Sequence, residues 1–144
     1  MRYLLIVKAT EYSEAGLVEE KDYREAFKEY KKSLAKNGVF LADEDLQTSA
    51  TGLRIMYTNK DEKPKLLAGP FPINQDLING FILIDVNSEE EALNWALQMP
   101  VPHVGGKFEI ELRRLKEQPF SVQDSGIKSM EAVLQDQLTM LKNL

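Results

Sequence analysis

The sequence predicts an α+β fold, with one antiparallel sheet and helices packed on it. Three observations predict it. Short apolar runs of β character stand near the start, in the middle and near residue 115. Two segments of helical period separate them. Gly, Pro and Asn fall at the junctions rather than inside the runs.

Arg2 to Lys8 reads RYLLIVK, short and apolar, and is expected to be a buried strand. Thr10 to Gly16 reads as a polar connection. From Asp22 to Lys36, Tyr23, Ala26, Phe27, Tyr30 and Leu34 recur every three or four residues. They share one helical face, and charges fill the other. Asn37-Gly38 is a helix stop, because glycine accepts the left-handed conformation that ends a helix. Val39 to Ala42 is the second predicted strand and runs into Asp43, Glu44 and Asp45. Leu53 to Thr58 is a third, Asn59 to Pro64 a polar turn, and Lys65 to Ala68 the return strand. Gly80 to Val86 is a further strand. Ser88 and Glu91 have capping-box spacing, and three acids favour the positive end of a helix that Pro100 ends. In Lys107 to Leu115, Phe108, Ile110 and Leu112 alternate with Glu109, Glu111 and Arg113, the pattern of a half-buried strand.

The order β-α-β-β-(β)-β-α-β is that of a ferredoxin-like split βαβ. Such a unit leaves one sheet face uncovered, and a second copy of the sheet is the expected cover. Pro119 to Asp124 reads as a linker. Ile127, Met130, Leu134, Leu138 and Leu141 then mark an amphipathic C-terminal helix. The expected division is a domain over residues 1–117, with linker and helix over 118–144.

The 144 residues suit one domain, and the 43% hydrophobic and 28% charged content is that of a globular chain. A net charge of −5 argues against nucleic acid, which needs a basic face. With no cysteine, disulfides, thiolate metal sites and cysteine nucleophiles are excluded. The N-terminus lacks a signal-peptide pattern, and no run approaches a membrane span, so a cytoplasmic protein without a membrane partner is expected. No cofactor motif is present. Gly105-Gly106 lacks the Lys-Ser/Thr of a phosphate loop.

Ala68-Gly69-Pro70-Phe71 is a stiff turn ahead of the polar loop Asn74-Gln75-Asp76. It resembles the signature of the YCII-related family in its DGPF branch. The resemblance runs from Met1 to about Leu115. It takes in Asn37-Gly38, Glu44 with Leu46, Arg54, Gly80, Ala92, Trp95-Ala96, Pro100 and Ile110-Glu111-Leu112-Arg113. It implies a ferredoxin-like domain that pairs through its sheets as a dimeric α/β barrel, with a pocket between sheet and helices. This chain departs from the signature. Ala68 replaces its leading Asp, Ile73 its Glu and Gln75 its Lys, while Asp76 keeps the final acid. The first helix has no His for the acid/base pair of the other branch, and Arg114 stands where the family has Pro.

Asp76 and His103 are the candidate proton carriers. His103 is the only histidine, in a loop entering the last strand. Arg54 and Arg113, on strands, are candidate grips for a carboxylate or phosphate. Glu111 beside Arg113, and Gly69, Pro70 and Phe71, complete the candidate ligand site. Asp43, Glu44 and Asp45 cannot converge on a metal, because strand neighbours point to opposite faces, so no metal is expected. Trp95, Phe27 and Tyr30 are expected in the core. Three functions stay open: a homodimer that binds a small anionic metabolite; an acid/base enzyme for a small anionic or enol-type substrate; and a regulatory or interaction module docking through its C-terminal helix.

Overall fold

A computed structural model describes residues 1–74, 76–104, 106–117, 134 and 137–142. Gln75, the Pro119–Asp124 linker and most of the expected C-terminal helix lie outside the described residues; 134 and 137–142 are helical.

The elements in order are β1 (Arg2–Lys8), α1 (Glu11–Glu14), α2 (Lys21–Lys36), β2 (Phe40–Asp45), a 3-10 turn (Ser49–Thr51), β3 (Leu53–Met56), β4 (Lys65–Ala68), β5 (Ile78–Asp85), α3 (Glu89–Leu97) and β6 (Ile110–Arg114). Four strands form an antiparallel sheet in the order β2-β5-β1-β6. β1 is central, consistent with its apolar character on both faces. Register pairs Leu5 with Ile82 and Leu112, and Tyr3 with Ile84.

The helices cover one face. Tyr3, Leu5, Val7, Ile82 and Ile84 meet Tyr30 and Leu34 of α2 and Ala92 of α3 in one core. Tyr23, Phe27, Tyr30 and Trp95 form an aromatic ladder with ring separations of 5.9, 6.1 and 6.3 Å. The Tyr30 hydroxyl donates to the Trp95 carbonyl at 2.6 Å, joining α2 to α3, and burial pushes its pKa up. The expected core role of Phe27, Tyr30 and Trp95 is what is found. By alternation, Leu4, Ile6, Phe81 and Leu83 lie on the opposite face.

Three local readings need correction. The connection after β1 contains a helical turn. Thr10 Oγ1 accepts from the Ser13 N–H, and Ser13 Oγ from the Thr10 N–H, a reciprocal cap with Ser in the usual Glu place. β2 runs on through all three acids to Asp45, because each pairs with β5. β3 and β4 do not join the main sheet. They form a separate two-stranded ribbon, and among the described residues no barrel closes. The helix stop holds, with Gly38 at φ +73°. Ser88 caps α3 through the Glu91 N–H at 3.1 Å.

Leu34 is fully buried against the sheet, so Leu34→Ala opens a cavity rather than relaxing onto solvent. The expected loss is about 2–5 kcal/mol, measured as a lower urea midpoint.

Candidate functional site

The segments around the signature turn meet at one end of the sheet, where β1 ends and β5 begins. Their junction is Ser49, the one buried polar residue among the described residues. The Glu14 carboxylate accepts from the Ser49 N–H at 2.9 Å and from its hydroxyl at 3.1 Å. Ser49 Oγ in turn accepts from the Phe71 N–H at 2.9 Å. One serine thus ties α1, the 3-10 turn and the signature turn together. The chain of donors ends on a carboxylate, which makes the Ser49–Glu14 bonds charge-assisted.

Glycine is required at Gly69 by space. A Cβ there would overlap the Ser49 carbonyl oxygen, while the Gly69 N–H donates to the Gly52 carbonyl at 2.9 Å. Gly52 serves the same contact, since a Cβ on it would come within 3.0 Å of the Phe71 ring. The Gly69-Pro70 peptide is cis, and Phe71 follows with its ring against Gly52.

The Phe71 ring carries Arg54. The guanidinium carbon stands 4.0 Å from the ring centroid, a cation–π stack. Arg54 makes no ion pair among the described residues. The two side chains line a cleft of about 370 Å³ together with Glu14, Ser49, Gly52 and Asp76. Asp76 is exposed, and its N–H closes a local turn by donating to Asn74 Oδ1 at 2.9 Å.

The other sequence candidates lie elsewhere. Arg113 is exposed on β6 and donates to Glu111 at 3.3 Å. That bond and Lys8, 3.5 Å from Glu111, hold the Glu111 carboxyl below its usual range. His103 is exposed in the loop before β6 and does not line the cleft. Pro70 is exposed on the outside of its turn. The structure therefore brings together Arg54, Phe71, Gly69 and Asp76, and leaves out Arg113, Glu111 and His103.

Sequence reasoning missed Glu14 and Ser49. The available signal was the polar run Thr48 to Gly52, which no strand or helix claims. It also missed a second group. Glu19, Tyr23 and Asp45 lie close enough to perturb one another. Partial burial, then the Asp45 charge, raises the Glu19 carboxyl, while Arg24 opposes the shift. Burial, then Glu19 and Asp45, pushes Tyr23 up to about 12. Asp43, one pleat away, instead meets Lys31 at 3.0 Å.

The family model of the YCII-related domain matches residues 1–116. A search of curated proteins finds no match.

Gly69→Ala must displace either the Ser49 turn or β4. It is expected to cost at least about 1–3 kcal/mol and to broaden amide signals around Ser49 and Arg54. An unshifted thermal midpoint would show that this contact is not needed.

Proposed function

The chain belongs to the YCII-related domain family, and from that premise we propose that it binds a small anionic metabolite in the Arg54 cleft and works as a homodimer. The observation that carries the reading is Arg54 itself. It is stacked on Phe71 and has no acid at ion-pair distance among the described residues. Stacking fixes the plane of the guanidinium and leaves N–H donors at its edge, the geometry that grips a carboxylate or phosphate. With the chain at −5 overall, attraction to an anion has to be local. Gly69, Pro70 and Phe71 support placement in the DGPF branch. Their part is to seat the ring under Arg54, with Arg113 and Glu111 outside the ligand site.

The order β2-β5-β1-β6 supports a ferredoxin-like domain. The apolar second face at Leu4, Ile6, Phe81 and Leu83 supports pairing of two such sheets, as in a dimeric α/β barrel. The ribbon adds exposed apolar surface at Leu53, Ile55, Tyr57 and Leu66.

Asp76 in the same cleft as Arg54 favours a second reading, acid/base chemistry on the bound anion. Asp76 would move the proton and Arg54 hold the charge.

Titration calorimetry with small carboxylates and phosphomonoesters tests the binding. A ligand of the wild-type protein is expected to lose roughly thirtyfold in affinity in Arg54→Gln, the worth of about 2 kcal/mol for a charged hydrogen-bonded pair. Equal affinity in the variant overturns the assignment. Asp76→Asn is expected to retain binding and, under the second reading, to abolish turnover. In sedimentation equilibrium the species should weigh twice the 16.4 kDa chain, and a monomer at micromolar concentration refutes the dimer.

A further inference from the structure

Among the described residues, Arg54 is the one cation that lines its cleft, and two carboxylates, Glu14 and Asp76, share the lining. We propose, resting on the reading of that cleft as an anion site, that it takes a monocarboxylate with an apolar body and discriminates against a phosphate monoester.

The first support is the balance of charge. A carboxylate brings one negative charge to one guanidinium. A phosphate monoester brings about −1.5 to −2 near neutral pH. Its second charge meets no further cation in the lining, and Glu14 and Asp76 repel it. Ser49 gives Glu14 two donors, at 2.9 and 3.1 Å, but no positive charge. Asp76 makes no ion pair among the described residues, so nothing there offsets it.

The second support is the supply of donors. A carboxylate presents two coplanar oxygens, which the forked edge of one guanidinium satisfies. A phosphate presents three oxygens, and proteins hold it with several backbone N–H groups converging at one point. Beside Arg54 such groups are already used. The N–H groups of Ser49, Gly52 and Phe71 donate to the Glu14 carboxylate, the Ser49 carbonyl and Ser49 Oγ. The Ser49 and Thr51 hydroxyls donate to Glu14 and to the Thr48 carbonyl.

The third support is apolar surface in the same place. Leu46, Phe71, Leu77 and Ile78 line the cleft. Leu46 is 51% exposed and Ile78 37%. A hydrocarbon body lying on them leaves water, which is worth about fourfold in affinity for each methylene fully buried. At about 370 Å³ the cleft is at the lower end of the range for small-molecule sites, so the body is short.

The test is calorimetric titration of the full chain, at neutral pH, with 4-methylpentanoate, acetate, 3-methylbutyl phosphate and the neutral 4-methylpentanamide. 4-Methylpentanoate is expected to bind about tenfold more tightly than either acetate or the phosphate ester. Asp76→Asn should strengthen the carboxylate about twofold and the ester, with nearly twice the charge, about fourfold. Leu46→Ser should weaken 4-methylpentanoate about fivefold and leave acetate unchanged. A phosphate ester that binds as tightly as 4-methylpentanoate, and is weakened by Arg54→Gln, leaves the cleft an anion site but overturns the proposal. So does acetate as tight as 4-methylpentanoate, or an ester affinity that Asp76→Asn does not change. Equal binding of 4-methylpentanamide, or no binding by any of the four, overturns the anion site itself and the proposal with it.

Discussion

The contact between Gly69 and Ser49 is the constraint on which this end of the molecule depends. Two backbones approach so closely that no side chain fits between them. The Ser49 hydroxyl then links Phe71 to Glu14. Both ends of that link are far apart in sequence, so neither the helical turn nor the ribbon gains the position by local preference. Because the Phe71 backbone is held this way, its ring lies against Gly52 and beneath the Arg54 guanidinium. A stacked guanidinium loses less freedom on binding an anion than one on a free stem.

The same sheet end carries charged side chains on both its sides. Arg54 lies in a cleft beside Ser49 and Phe71. Glu19, Tyr23 and Asp45 gather near α2, where Arg24 faces Glu19. The one-turn helix α1 stands between them. Glu14 reaches the cleft, and Tyr12 and Ser13 face a small cavity beside Tyr23. Its reciprocal Thr10–Ser13 cap satisfies two backbone N–H groups that so short a helix leaves without an internal partner. At each of two glycines, Gly69 and Gly80, a missing side chain lets a polar group of another segment come close. Both belong to the stretch that carries the family resemblance, and in both the reason is steric.

Much of the fold was legible because it rests on local period. β1, α2, β5 and β6 follow from alternation or from three-four spacing, and Gly38 and Ser88 end or start helices by their own chemistry. The errors came where local rules are silent. β3 and β4 read as strands of the main sheet because their composition is β-like, but pairing partners are chosen by the path of the chain. In sequence α1 looks like a polar connection, because its cap uses Ser at the reciprocal position.

The sequence by itself determined the sheet and the helix faces, the absence of cysteine chemistry, and a turn at Gly69-Pro70 in which the leading acid is gone. These follow from periods of two and 3.6 and from residue chemistry, which act within a few neighbours. Only the tertiary structure decided which candidates share a site. Arg54 and Arg113 look alike in sequence, each on a strand beside apolar neighbours. Phe71, placed by Ser49, gives Arg54 a platform in a cleft, whereas Glu111 two residues away occupies Arg113. Glu19, Tyr23 and Asp45 come together for the same reason. A loop, a helix and a strand end converge across the sheet, and no spacing along the chain encodes that meeting.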